Sequence, residues 1–190
     1  DEVWRFINPT MLYGRHLGLK GRYEELIAQG DRKAELLRDI VEDVKTEARA
    51  WMVAKAAWRF FPAQASGETV RIGREALTFP RQAAGERLCL ADFVGENDVV
   101  CLFAVTAGEG VREHAERFKG LGEFLKSHAV QALAIETAEA AAEWLHSKLR
   151  GLWGFPDPPD LPMLERFRAK YRGKRYSFGY PACPDLAMQE

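Results

Sequence analysis

The sequence has few cysteines, few histidines, no long apolar run and almost no net charge, and each shortage removes a class of function. Its three cysteines, Cys89, Cys101 and Cys183, lie far apart without a C-x-x-C pair, so reduced thiols are expected rather than a disulfide framework. The histidines His16, His114, His128 and His146 show no metal-ligand spacing within one element. His114 and His128 can share a helical face but sit too far apart along the axis to share an ion, and no metal site is assigned. Nothing pairs a nucleophile with a base and its orienting partner, so no catalytic residue is assigned either. No stretch approaches the roughly 18 to 20 apolar residues of a membrane span. The start, Asp1-Glu2-Val3-Trp4-Arg5, has neither the basic opening nor the apolar stretch of a signal peptide, and a cytoplasmic protein without a membrane partner is expected. A formal net charge of −1 offers no field to draw in nucleic acid.

What is present is the composition of a folded domain: 190 residues, 47% hydrophobic and 29% charged, enough for a single domain with one sizeable core. The opening segment, through about Leu17, reads as a short helix or turn around Pro9, followed by a break at Gly14, Gly18 and Gly21. A small helix over Tyr23–Ala28 closes at Gly30. Asp31 suits the N-cap of the next helix, whose apolar positions Ala34, Leu37, Val41, Val44, Ala48 and Met52 advance in steps of three or four, the mark of one buried face. After Lys55 the period changes. Trp58, Phe60 and Phe61 with Pro62, then Ser66-Gly67, then Thr69-Val70-Arg71-Ile72 predict strand, turn and strand. Further strands are predicted over 75–79, 88–94 and Asp98–Thr106. The last looks buried on both sides and should be the central strand.

Val111, Ala115, Phe118 and Leu121 mark another helix. Val130, Leu133, Thr137, Ala141 and Leu145 mark a longer one, which Gly151 and Gly154 should end. The proline-rich stretch 155–160 reads as a stiff loop, and 161–171 as a basic helix.

That helix leads to the most constrained segment of the chain, R-x-x-x-G-Y-P-A-C-P, from Arg175 through Gly179-Tyr180-Pro181-Ala182-Cys183-Pro184. Pro181 and Pro184 fix φ near −65°, lack an N–H, and push Tyr180 and Cys183 toward extended geometry, while Gly179 opens torsions closed to other residues. The reading is a rigid, extended strip with unpaired backbone groups facing sideways and an aromatic ring at Tyr180. The guanidinium of Arg175 nearby can fork onto a carboxylate. Such a strip suits a small zwitterionic ligand carrying a flat ring.

The motif resembles the S-adenosylmethionine-binding motif of the reactivation domain of cobalamin-dependent methionine synthase. Leu88-Cys89-Leu90-Ala91-Asp92-Phe93-Val94, Phe103-Ala104-Val105-Thr106-Ala107-Gly108 and Glu139-Ala140-Ala141-Ala142-Glu143-Trp144-Leu145-His146 resemble three further blocks of that domain, in the same order. With the elements above, the resemblance implies an α+β fold in a single domain, a twisted, mainly antiparallel sheet flanked by long helices. It also implies a repair function within a methyltransferase enzyme. Cob(I)alamin that has oxidised to cob(II)alamin is reduced by a flavodoxin-like electron donor and remethylated by S-adenosylmethionine. Cobalamin would be bound mainly by a separate, cobalamin-binding domain of the same enzyme, onto which this one docks, so the isolated chain is not expected to be active alone. The family's domain continues past the Pro-Ala-Cys-Pro strip into further strands, so residues 1–190 are expected to be a piece truncated at its C-terminus, with a shortened form whose ligand site is incomplete as the alternative.

The same resemblance implies that Arg175 binds the carboxylate of S-adenosylmethionine and that Ser177, Gly179, Tyr180 and Ala182 line the ligand. Cys183 reads as an inert packed thiol. Asn8 stands where the best-known members carry an aspartate facing the ligand's ammonium. A neutral acceptor there is weaker by about 1 kcal/mol, or several-fold in affinity. Asn8 reads nearly as well as a turn or cap residue before Pro9. Glu139 lies where the family places an acid near the ligand. By itself it would be a solvated helix glutamate, and Glu143, one turn on, could supply the same charge.

Other features read as structural. Trp51, Trp58, Phe60, Phe61, Trp144 and Trp153 suit the core better than a cofactor box. Gly108-Glu109-Gly110 imitates the start of a dinucleotide fingerprint, but Glu113 takes the place of the third glycine. The cluster Arg166, Arg168, Lys170, Arg172, Lys174 and Arg175 reads as a solvated face or a docking surface for an acidic protein rather than an RNA site. Two rival functions remain: a free-standing corrinoid-reactivation or S-adenosylmethionine-binding module, and a protein-interaction domain without a ligand.

Overall fold

The computed structural model describes residues 1–189. The chain packs as two compact units, one formed by Asp1–Ala56 with Val105–Arg172, the other by Ala57–Ala104 with the chain from Gly173 onward.

The first unit is helical. A 3-10 turn (Val3–Phe6) and a π-helical stretch (Thr10–His16) precede α1 (Tyr23–Ala28) and α2 (Arg32–Ala48). Asp31 caps α2 as expected, its carboxylate accepting the N–H groups of Lys33 and Ala34 at 3.0 and 2.9 Å, a cap worth about 1 kcal/mol. The apolar period continues one step past the helix, because Met52 stays buried in the turn whose N–H reaches the carbonyl of Ala48 at 2.7 Å. Later in the chain come α3 (Val111–Gly120), α4 (Phe124–Leu152) and α5 (Met163–Phe167). Helix α4 runs through Gly151, since a lone glycine costs a helix only about 1 kcal/mol relative to alanine. Helix α5 covers only part of the expected 161–171, because Ala169 takes a positive φ of 52° that a helix cannot hold.

The core of this unit lies along α4. Ala129, Val130, Leu133, Ala140 and their neighbours pack with Ala34, Leu37, Val41 and Val44 of α2 and with Ala115 and Phe118 of α3. Burying a side chain such as Leu133, which is wholly inaccessible, is worth about 2 kcal/mol. Among the described residues no helix is long and apolar enough to cross a membrane.

The second unit holds most of a four-stranded sheet of β1 (Lys55–Ser66), β2 (Thr69–Ile72), β3 (Glu75–Thr78) and β4 (Asp98–Thr106), in the order β3-β2-β1-β4. The expected hairpin is present: β1 and β2 are antiparallel with Ala63 opposite Ile72 and Ser66 opposite Thr69, and β3 continues the meander with Thr78 opposite Thr69. Ala63, Val70, Phe79, Cys89, Ala91 and Cys183 form its core.

Several expectations are corrected. Strand β4 is an edge strand, not the central one, and Leu102 is 44% exposed, so its continuous apolar run does not reflect burial on both faces. The segment 88–94 is no strand but carries a 3-10 turn, Leu90–Phe93, because the Asp92 side chain captures the N–H of Cys89 that a ladder would need. None of the six aromatics assigned to the core is buried, and Trp58 is 49% exposed. Alanine, valine and leucine make up most of the first unit's core, and of the six only Trp51 packs against it, partly buried.

Candidate functional site

The motif segment belongs to the second unit and departs from the extended strip read in the sequence. It folds into successive turns: the Ser177 carbonyl accepts the N–H of Tyr180 at 3.3 Å, and the Tyr180 carbonyl accepts the N–H of Cys183 at 2.9 Å. The N–H of Gly179 donates to the carbonyl of Cys183 at 2.9 Å, making a one-pair antiparallel bridge across the second turn. Pro181 occupies the second position of that turn, where its fixed φ is pre-set. Gly179 supplies φ of +88° at the third position of the first, and a Cβ there would also lie 2.8 Å from Leu186 Cδ2. Local torsional preferences allow either shape. The turn is selected by hydrogen bonds, including one from the Cys183 thiol to the Ser177 carbonyl at 3.0 Å.

These turns sort the motif into an outer and an inner side. Ser177 and Gly179 are exposed, the Tyr180 ring is 59% exposed, and Arg175 is half-buried. Ala182 and Cys183 face inward, and burial pushes the Cys183 thiol above its ordinary value, in keeping with an inert packed cysteine. Burial also raises Tyr176, whose ring packs against Phe93 with centroids 4.8 Å apart.

The inner side rests on the Leu90–Phe93 turn. The N–H of Leu90 donates to the carbonyl of Ala182 at 3.0 Å. Asp92 is held by a fork from Arg81, with Nη1 to Oδ2 at 2.7 Å and Nη2 to Oδ1 at 2.8 Å. The Arg81 guanidinium, with the Cys89 backbone N–H, lowers the Asp92 carboxyl to about 2. Sequence reasoning gave Arg81 and Asp92 no role. Asp92 lay within a recognised block, but no spacing in the sequence links it to Arg81 or to Ala182.

The structure therefore gathers Arg175, Ser177, Gly179, Tyr180 and Ala182 in the second unit, while Asn8 and Glu139 belong to the first. Asn8 is a turn residue, as its alternative reading had it. Its Oδ1 accepts the N–H of Thr10 at 3.0 Å and its carbonyl those of Met11 and Leu12. Glu139 is exposed on α4. Glu143 is buried and engaged, accepting a hydrogen bond from the Tyr171 hydroxyl at 3.1 Å with Arg150 Nη2 at 3.9 Å, so it is a poor substitute for Glu139. The basic cluster is not uniformly solvated. Arg168 is exposed and pairs with Glu165, whereas Arg166 is largely buried against Asp157.

Comparison with known proteins places this geometry. The chain is 29% identical over 213 residues to a methionine synthase of Mycobacterium tuberculosis, with 98% of this chain and 17% of the relative covered. It is 28% identical over 211 residues to the methionine synthase of Mycobacterium leprae, with the same coverage. The chain thus spans about a sixth of the length of these curated relatives. Among solved structures, a crystal structure of the MetH reactivation domain bound to AdoHcy matches with a TM-score of 0.87 and 27% identity, covering 98% of this chain and 64% of that one. The family model for the activation domain of vitamin B12 dependent methionine synthase matches residues 1–190, and the chain belongs to that family.

Proposed function

We propose that the chain binds S-adenosylmethionine along the strip 175–182 and presents its methyl group for the reductive remethylation of cobalamin in a methionine synthase. The observation that carries this reading is the sidedness of the strip. An exposed tyrosine ring is held in a hydrogen-bonded double turn, with a half-buried arginine two residues before it in sequence, in a chain similar to a domain solved with AdoHcy. Arg175 is assigned the ligand's carboxylate, which its planar fork suits. Tyr180 is assigned packing against the ligand and Ser177 and Gly179 line it from the exposed side, while Ala182, on the inner side, is assigned to the site through the turn it helps to close.

Cobalamin would be held mainly by another domain of the enzyme, and its cobalt would be the acceptor of the methyl group. The share of this chain is placement, holding the sulfonium at a near-attack distance of roughly 3 to 3.5 Å, with no acid or base needed. Asn8 and Glu139 are each proposed as acceptors for the ligand's ammonium, to be tested by substitution one at a time. A flavodoxin-like electron donor, docking onto a cobalamin-bearing domain, and a cytoplasmic setting complete the reading, the last in keeping with three unpaired cysteines. The chain alone supplies no methyltransferase activity.

Isothermal titration with S-adenosylmethionine tests the proposal. The wild-type chain is expected to bind, and Arg175→Ala to bind about tenfold more weakly or worse. Absence of binding by the wild-type chain, or unchanged affinity in Arg175→Ala, would overturn it.

A further inference from the structure

The block 88–94 resembles a family block and yet forms neither a strand nor part of the strip. Its contacts show what it does within the second unit. The Asp92 carboxylate takes three donors at once: both terminal nitrogens of Arg81, at 2.7 and 2.8 Å, and the N–H of Cys89 at 2.9 Å. Arg81 Nη1 also donates to the carbonyl of Arg87 at 2.7 Å. These bonds hold Cys89 extended, at φ −134° and ψ 164°, and direct the next N–H, that of Leu90, onto the Ala182 carbonyl at 3.0 Å.

A shared core and one ring contact join the same pair of segments. Cys89 and Cys183 are both buried in one core, and Phe93 packs on Tyr176, the neighbour of Arg175. The side chains of Arg81 and Asp92 are 29% and 30% exposed, so solvent screens their attraction, and the geometry of the fork matters more than its charge.

We propose that Arg81 and Asp92 are positioning residues for the ligand strip, holding its double turn in shape through the hydrogen bond from Leu90 to Ala182. This inference rests on the ligand reading given above.

Leu90→Pro isolates that bond. Leu90 is the first residue of its 3-10 turn, where proline is tolerated, and Cys89 already has the extended geometry a following proline demands. The substitution deletes the donor, and Leu90→Ala, which keeps the N–H, controls for the lost side chain. Two measurements on the full 190-residue chain are compared: S-adenosylmethionine affinity by titration, and amide hydrogen exchange at Gly179 and Cys183 without ligand.

Leu90→Pro and Asp92→Asn are expected to speed exchange at both amides and to weaken binding about tenfold, with Leu90→Ala within about threefold of wild type. Arg81→Lys, which keeps the charge and loses the fork, should follow Asp92→Asn. Leu90→Pro matching Leu90→Ala in exchange and affinity would overturn the positioning role. A wild-type chain that takes up no S-adenosylmethionine would instead overturn the ligand reading, and exchange alone would then judge the fastening.

Discussion

The guanidinium of Arg150 grips the carboxylate of Asp157 in a fork, with Nε to Oδ1 and Nη2 to Oδ2 both at 2.6 Å. Arg150 is 1% exposed, its other face lies 3.7 Å from the Tyr171 ring centroid, and Arg166 approaches the same carboxylate. Helix α4 is thereby tied to the proline-rich loop and to α5.

Removing one partner of such a pair strands a buried charge. Asp157→Ala is expected to destabilise the first unit by about 3 to 5 kcal/mol in urea unfolding, and a double change that also replaces Arg150 with Met to recover part of the loss. Burial pushes the Asp157 carboxyl up, but Arg150 and Arg166 outweigh it and the net shift is downward. The pair's contribution is therefore present above the ordinary value of 3.8 and lost as pH falls through the lower folded value. A loss below about 1 kcal/mol would show that the fork does not hold the loop.

Glu136, 3% exposed on α4, gives the opposite sign. Burial raises its carboxyl above the ordinary 4.5, the hydrogen bond from His16 at 3.0 Å pulls it down only in part, and Glu139 adds to the rise. Its ionisation costs stability as pH rises from the ordinary value through the raised one. The Tm of Glu136→Gln relative to wild type is expected to climb between about pH 4 and pH 7. A difference that stays flat across that range would contradict the burial effect.

Gly108 adopts φ of +105°, and a Cβ there would stand 2.8 Å from both the N and the O of Val53. Gly108→Ala meets both torsional strain and a clash with backbone that cannot swing aside. A loss of at least about 2 kcal/mol in chemical denaturation is expected. A loss under about 0.5 kcal/mol would mean that the backbone relaxes there freely.

Asn8→Asp keeps the oxygen that accepts the Thr10 N–H, so the turn should survive. If residue 8 meets the ligand's ammonium, the added charge should tighten S-adenosylmethionine binding by up to about tenfold, with Tm unchanged. Titration showing equal affinity would remove this residue from the site.

Where a feature depends on a few neighbours in sequence, the chain announced it. Asp31 as a cap, the buried stripe of α2 and the β1–β2 hairpin follow from hydrogen-bonding side chains, helical period and turn residues. The family was equally readable, because R-x-x-x-G-Y-P-A-C-P concentrates unusual residues in one run. The edge position of β4 was hidden, since an apolar run looks the same on either side of a sheet. So was the 3-10 turn at Leu90–Phe93, where Asp92 takes the N–H of Cys89 while an arginine from another loop forks onto the same carboxylate.

The sequence by itself determined the family, the fold class, the course of the longer helices and the hairpin, and which residues of the motif carry a charge and a ring. Only the tertiary structure decided that the proline motif turns rather than extends, that Leu90 braces it, and that Arg150 is buried with a partner. The division has a physical cause. Torsional preference and side-chain period act between neighbours in the chain, whereas a hydrogen bond or ion pair is chosen by whichever distant group the fold brings within reach.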